Sequence, residues 1–178
     1  MGGDFVDNLI KIGISSCLCG EKVRYDGGHK HERQLTETLG KFFTLLPVCP
    51  EVGSGMPTPR EAMRLEGNRA HPRLMTVESR IDLTDQMRSY CVEKVAELQR
   101  EEICGFVFKM NSPSSGLHRV KVYNSGMPVR YGRGLFAAEI VKWFPHLPVE
   151  EEGVLADAIL RENFIERVFT YSRWKGSR

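Results

Sequence analysis

Phe42-Phe43-Thr44-Leu45-Leu46-Pro47-Val48-Cys49-Pro50-Glu51-Val52-Gly53-Ser54-Gly55-Met56-Pro57-Thr58-Pro59-Arg60 is the stretch on which the fold turns. Phe42 to Val48 is a short apolar run with the length and composition of a buried strand. The loop that follows packs a thiol, a carboxylate and a guanidinium among prolines and glycines. Proline fixes φ and glycine permits positive φ, so such a loop holds an unusual but definite path. A plain surface turn needs neither the cysteine nor that much backbone specification.

Two other strand–loop units repeat this design. Upstream, Lys11 to Ser16 reads as a strand entering the loop Cys17-Leu18-Cys19-Gly20-Glu21-Lys22-Val23-Arg24-Tyr25-Asp26-Gly27-Gly28. Downstream, Ile103 to Phe108 reads as a strand entering Lys109-Met110-Asn111-Ser112-Pro113-Ser114-Ser115-Gly116. Between these units the pattern predicts a short helix from His31 to Leu39, stopped by Gly40. It also predicts the longest helix of the chain from Leu83 to Arg100, because Leu83, Met87, Cys91, Val95 and Leu98 recur at helical spacing. Alternating strands and helices predict an α/β fold, a mostly parallel sheet flanked by helices. The loops at the carboxyl ends of parallel strands meet at one edge, so the three loops are expected to converge on a site there.

The remaining segments are less distinctive. Residues 61–80 read as polar and irregular, with a short strand at Leu74 to Val77. Asn124-Ser125-Gly126 reads as a turn between strands. Gly132 and Gly134 open a helix from Leu135 to Phe144, where an ordinary turn is a simpler reading than a phosphate cradle. Glu150-Glu151-Glu152 reads as a solvated acidic run. A last helix, Ala158 to Trp174, carries Ile159, Phe164, Val168 and Tyr171 on one face. Cys91 and Cys104 read as packed thiols. His29, His31, His71, His118 and His146 show no ligand spacing and read as surface residues.

The 178 residues are 41% hydrophobic and 27% charged, values ordinary for a soluble domain. Lys+Arg 25 against Asp+Glu 23 gives a net charge of +2, which by itself decides nothing about a nucleic-acid partner. No apolar stretch approaches the roughly 20 residues that cross a bilayer. The N-terminus has neither the basic start nor the apolar core of a signal peptide, so a cytoplasmic location is expected. Five cysteines are an odd number at low density, which favours reduced thiols or metal ligation over bridges.

The three loops resemble those of the bacterial thiouracil desulfidase family. Ser16 to Gly27, Cys49-Pro50-Glu51 with Pro57-Thr58-Pro59-Arg60-Glu61, and Lys109 to Gly116 match its three motifs in order. The likeness runs from about Lys11 to Tyr123. Beyond it, Gly134-Leu135-Phe136 and Leu160 to Phe169 resemble the segment that joins this domain to a second, helical domain in longer relatives, some of which act on thiouridine in tRNA. The expected organisation is an N-terminal extension over 1–9, an α/β domain over 10–150, and a helix and tail over 151–178 leading toward such a second domain.

The resemblance implies a [4Fe-4S] cluster held by three cysteines, one per loop, with the fourth iron open to the sulfur of a thiocarbonyl. Thiolates suit such clusters, and C=S sulfur is a soft donor for iron. The implied reaction is non-redox: water attacks the polarised carbon and sulfide leaves. The family's acid–base residues fall on Glu51 and Ser112, and the substrate would be a thiolated nucleobase or nucleoside, free or in tRNA. Two ligand positions fall on Cys17 and Cys49. The third departs from the family's Ser-Pro-Ser-Cys-Gly, because Ser115 stands where the cysteine is expected. Serine is a hard, weakly acidic donor. Cys19 is the candidate substitute.

Other residues carry two readings each. Arg60 is a bidentate contact for a base or phosphate, or else a salt bridge within its own loop. Arg24, Tyr25 and Asp26 line the pocket, with Tyr25 stacking on a base, or else Asp26-Gly27-Gly28 is a local turn. Ser114 belongs with the substrate-contacting set. Two rival functions remain open: a catalytically silent module that binds a thionucleoside or tRNA, and a zinc-dependent hydrolase using Cys17, Cys19 and Cys49.

Overall fold

The computed structural model describes residues 10–177. In chain order the elements are β1 (Lys11–Ser15), a 3-10 turn (Ser16–Cys19), α1 (Arg33–Gly40), β2 (Thr44–Val48), α2 (Pro50–Gly53), β3 (Met63–Glu66) and β4 (Arg73–Thr76). Then follow α3 (Thr84–Arg100), β5 (Phe106–Phe108), β6 (Val120–Asn124), β7 (Met127–Gly132), α4 (Leu135–Trp143), β8 (Val149–Glu151) and α5 (Ala158–Gly176).

The main sheet has the order β2-β1-β5-β8, and every pairing in it is parallel. Side chains alternate across it with the period of two that a strand imposes. Phe106 and Phe108 face a core shared with Met87 and Leu98 of α3 and Phe136 of α4. Ile12, Ile14 and Val107 face a second core with Leu35 and Leu39 of α1 and Phe164 and Val168 of α5. Gly13 is required by close approach: a Cβ there would sit 2.3 Å from the Phe106 ring. Covering both faces with helices is what an all-parallel sheet needs.

The register fixes the site. Ser15 pairs with Val48, and Ile14 pairs with Val107, so β1, β2 and β5 finish at one edge. Cys17, Cys49 and Lys109 start the loops leaving that edge. No described helix is long and apolar enough to cross a membrane.

Several expectations need correction. Residues 61–80 contain, besides the expected strand near Leu74, present as β4, an unexpected antiparallel partner β3, both in a second sheet ordered β4-β3-β6-β7. Arg64 and Arg80 pair with Glu66 across the surface, which hid the alternation of β3. The longest helix is α5, at 19 residues against 17 for α3. Asp157 caps it by accepting from the N–H groups of Ile159 and Leu160. Ile159 is not on its buried face but 70% exposed; Phe164, Ile165 and Val168 do the packing. Glu150-Glu151-Glu152 is not a solvated run. It enters β8, which pairs with β5 across the 150/151 position, and Glu151 and Glu152 are buried.

Candidate active site

The three loops enclose a cleft of about 500 Å³, lined among others by Cys17, Cys49, Glu51, Ser112 and Ser115. Arg24, Tyr25, Arg60 and Lys109 complete its rim and walls. Residues up to about a hundred positions apart in sequence are thus gathered by the parallel register.

Glu51 is the junction of the second and third loops. It sits in the first turn of α2, where Pro50 takes the first helical position. Only 9% exposed, it accepts a hydrogen bond from Ser114 Oγ at 2.5 Å on Oε1. On Oε2 it faces the Cys49 thiol at 3.4 Å. Ser114 Oγ also lies 3.0 Å from Ser112 Oγ. Ser112 Oγ accepts from the backbone N–H groups of Ser114 and Ser115, at 3.3 and 3.0 Å. The result is a chain of polar groups running Cys49–Glu51–Ser114–Ser112, with Ser115 Oγ 3.4 Å from Ser114 Oγ.

The third loop is clamped from two sides. At the start of α4, the N–H groups of Gly134, Leu135, Phe136 and Ala137 donate to the carbonyls of Gly116, Pro113 and Ser114. The helix N-terminus is consumed by this loop, so the Gly132–Gly134 turn is not a phosphate cradle. Gly134 is needed there because a Cβ would lie 2.4 Å from the Ser114 carbonyl. On the other side, Glu151 Oε1 accepts from the N–H groups of Leu117 and His118 at 2.8 and 3.0 Å. Glu152 accepts from Met110 N–H and pairs with the Lys109 ammonium. Sequence reading missed Lys109, Glu151 and Glu152. The signal lay in Leu147-Pro148-Val149, an apolar run placed directly before the acids.

Burial pushes the Cys17 thiol up to about 11; Lys109 partly opposes this, and the Glu51 charge adds to it. Burial, then Glu51, pushes Cys49 up to about 12. Both groups are thiols at neutral pH, so a metal binding them displaces a proton from each.

The other sequence candidates fall as follows. Tyr25 is exposed at the rim and Arg24 stacks beside it, 5.5 Å from the ring centroid. Arg60 bonds within its own loop to Pro57 O and Thr58 Oγ1, and its N–H ties that loop to Tyr25 O at 2.8 Å. The Nε atoms of Arg24 and Arg60 are buried in the cleft wall with no hydrogen-bond partner; the Asp26 carboxylate is 3.6 Å from Arg24 Nε. Both arginines line the cleft through other atoms of their side chains or backbone. Asp26 stays outside the cleft lining and bonds Gly28 N–H in a local turn. Ser114 is fully buried behind Ser112 and Ser115. Cys19 does not line the cleft but packs against the second core. Cys91 and Cys104 are buried away from it.

Comparison with known proteins agrees with this architecture. The profile of the 2-thiouracil desulfurase family matches residues 12–152. The chain belongs to the 2-thiouracil desulfurase family. The uncharacterized protein YbbK of Bacillus subtilis (strain 168) is 27% identical over 108 residues, covering 58% of this chain and 71% of YbbK. Among solved structures, the [4Fe-4S]-dependent thiouracil desulfidase TudS superposes with a TM-score of 0.68 at 30% identity, over 86% of this chain and 98% of TudS.

The donor set of this family member fits such a cluster only in part. Cys17 and Cys49 are soft donors just past the ends of neighbouring strands and line one cleft, which suits iron and sulfide. The third position presents a hydroxyl. Among the described residues no other cysteine lines the cleft, and no group of three His, Cys, Asp or Glu side chains gathers as a metal site. The set is one thiolate short of three, and the trio of the zinc alternative is not assembled either.

Proposed function

We propose that this chain belongs to desulfidase chemistry on a thiolated uracil, exchanging the sulfur of C=S for the oxygen of water and releasing hydrogen sulfide without net electron transfer. The observation that carries the reading is the convergence of Cys17, Cys49 and Glu51 on one cleft at the carboxyl edge of the parallel sheet. Buried and flanked by a thiol, Glu51 is the base for the attacking water, and Ser114 and Ser112 fix its orientation. Arg24 and Arg60, which line the cleft, supply guanidinium groups for the oxygen of the base, and Tyr25 offers a stacking face. Cys17, Cys49 and position 115 mark the sulfur-binding end. The substrate is a uracil carrying sulfur as free base, nucleoside or part of an RNA such as tRNA. Five unpaired cysteines support a reducing, cytoplasmic setting.

The test is anaerobic reconstitution with iron and sulfide of the wild type and of Ser115→Cys, followed by sulfide release from 2-thiouracil and 4-thiouridine. Ser115→Cys is expected to hold more iron and acid-labile sulfide per chain and to release sulfide faster. A variant that carries a full cluster yet releases none from base, nucleoside or RNA sinks the reading.

A further inference from the structure

A second concavity, of about 770 Å³, lies on the other side of the third loop and shares no lining residue with the cleft. Its walls come from four separate parts of the chain: the β3–β4 turn, α3, the loop before β6, and β7 with α4. They bring together Arg69, Arg88, Arg119, Arg133 and Lys142, with His71 and His118, against a single carboxylate, Glu139. Near-neutral overall charge thus hides a strongly basic groove.

Three of its arginines are not neutralised locally, whereas His118 lies 3.6 Å from Glu150 Oε1. Among the described residues, no ion pair within 4 Å engages Arg69, Arg88 or Arg119, and Lys142 reaches Glu139 only at 4.0 Å. Arg133 donates to Leu117 O, which holds it against the loop. Tyr131 stands 69% exposed at the groove with the Arg69 guanidinium 6.0 Å from its ring centroid. Arg119 holds a left-handed backbone, φ 54°, at a non-glycine position. A cation-lined groove with an exposed aromatic ring is the arrangement that tracks a phosphate backbone and stacks an unpaired base. Acidic peptide would use the cations but leave the ring without a role.

The groove and the cleft are two faces of one loop. Ser115 lines the cleft, and Leu117, His118 and Arg119 line the groove. Two to four residues of chain separate them, on the order of 7–14 Å even when extended. A strand lying in the groove therefore passes beside the cleft, close enough to present a neighbouring nucleotide to it.

We infer that the Arg69–Arg88–Arg119 groove binds the phosphate backbone of single-stranded RNA and delivers a thiolated uridine of that strand to the adjoining cleft. The choice of RNA rests on the desulfidase reading, since uracil is an RNA base; the groove's affinity for a polynucleotide does not.

The test uses Arg69→Ala/Arg88→Ala/Arg119→Ala in the full chain, with its fold checked by circular dichroism and thermal melting. Fluorescence anisotropy is recorded across a salt series with a labelled single-stranded RNA containing one 4-thiouridine, the same RNA unmodified, and polyglutamate of equal charge. The expected result is RNA binding weakened about tenfold or more in the triple variant, with the salt slope shallower by about 0.7 for each phosphate no longer neutralised. With Ser115→Cys added to both chains and the cluster reconstituted, sulfide release from free 2-thiouracil should be unchanged between them. Equal RNA affinity in the folded variant, or wild-type binding to polyglutamate as tight as to RNA, overturns the inference. If neither chain turns over free 2-thiouracil when each also carries Ser115→Cys and a full reconstituted cluster, while RNA binding responds as expected, the desulfidase reading fails and the groove stands.

Discussion

Ser114 Oγ donates to Glu51 Oε1 at 2.5 Å, joining two loops that are 63 residues apart. Ser114 is fully buried and Glu51 nearly so, and the same carboxylate holds the Cys49 thiol on its other oxygen. One short contact therefore orients the only carboxylate that lines the cleft among the described residues, and it fixes the position of a sulfur donor. The acid and the thiol are organised together, from a serine that never meets the cleft itself.

Glu51→Gln separates the geometric role of this group from its proton role. The amide oxygen can still accept from Ser114, so the fold should persist, but an amide cannot take a proton from water. In the iron-reconstituted Ser115→Cys background, sulfide release is expected to fall by about 10²–10⁴-fold, the usual scale of general base catalysis. Iron content per chain should stay the same. A loss of only a few fold, measured as kcat, removes Glu51 from the chemistry.

Gly134→Ala tests the clamp on the third loop. The backbone at Gly134, φ −60° and ψ 149°, is open to any residue, so conformational strain is not at issue. The added Cβ instead meets the Ser114 carbonyl at 2.4 Å, and both partners are backbone. Relief requires moving either α4 or the Ser112–Gly116 loop. Overpacking of this kind costs about 1–3 kcal/mol, which for a chain of this size lowers Tm by about 2–4 °C per kcal/mol. An unchanged Tm by calorimetry would show that the loop is not held by α4.

How much of this was legible in the sequence depends on which force wrote each part. The strands ending at Ser15 and Phe108 were legible because burial on both faces demands continuous apolar runs, and the one ending at Val48, a half-buried edge strand, because its run is apolar as well. Their convergence followed from parallel winding, and with it the grouping of Cys17, Cys49, Glu51, Ser112 and Ser115. β4 was legible as the short strand at Leu74 to Val77; β3 was not, because the Arg64–Glu66 ion pair takes the place of apolar alternation. Glu151 and Glu152 read as solvated since a carboxylate is buried only when distant groups satisfy it. Those groups, the N–H donors of Leu117 and His118 and the Lys109 ammonium, lie 33 to 43 residues away. The basic groove was invisible for the same reason: its arginines come from four segments, and their sum is masked in the net charge.

Glu66 makes acid sensitivity predictable. The Arg80 guanidinium grips both of its oxygens at 2.6 Å, and Arg64 adds a third bond at 2.6 Å. These contacts, Arg80 foremost, hold its carboxyl down at about 2. Because the folded value is depressed, the contribution is present in full above the unfolded value of about 4.5 and is lost as pH falls toward about 2. Both arginines are partly exposed, so solvent screening limits the effect to the order of 1 kcal/mol. Glu66→Gln should lower Tm by about 2–4 °C at pH 7, and the gap should narrow below about pH 4.5 and close as pH falls to about 2. A gap that is constant across that window assigns the loss to packing instead.

Glu151 offers the sharpest test of the buried acids, because one oxygen serves two backbone donors. Leu117 N–H is buried, whereas His118 is exposed and its N–H can turn to water. Glu151→Gln keeps an acceptor in place but gives up the charge assistance, which roughly doubles the strength of such bonds. Glu151→Ala leaves the Leu117 donor unmade in the interior, at about 1–3 kcal/mol, and opens a space beside it. The order of Tm should therefore be wild type, then Gln, then Ala. Amide exchange adds a local readout: Leu117 should exchange faster in Glu151→Ala than in Glu151→Gln when both are compared at equal global stability. If the two variants match in Tm and in Leu117 exchange, the carboxylate is not what secures the third loop. The clamp would then rest on α4 and on Glu152.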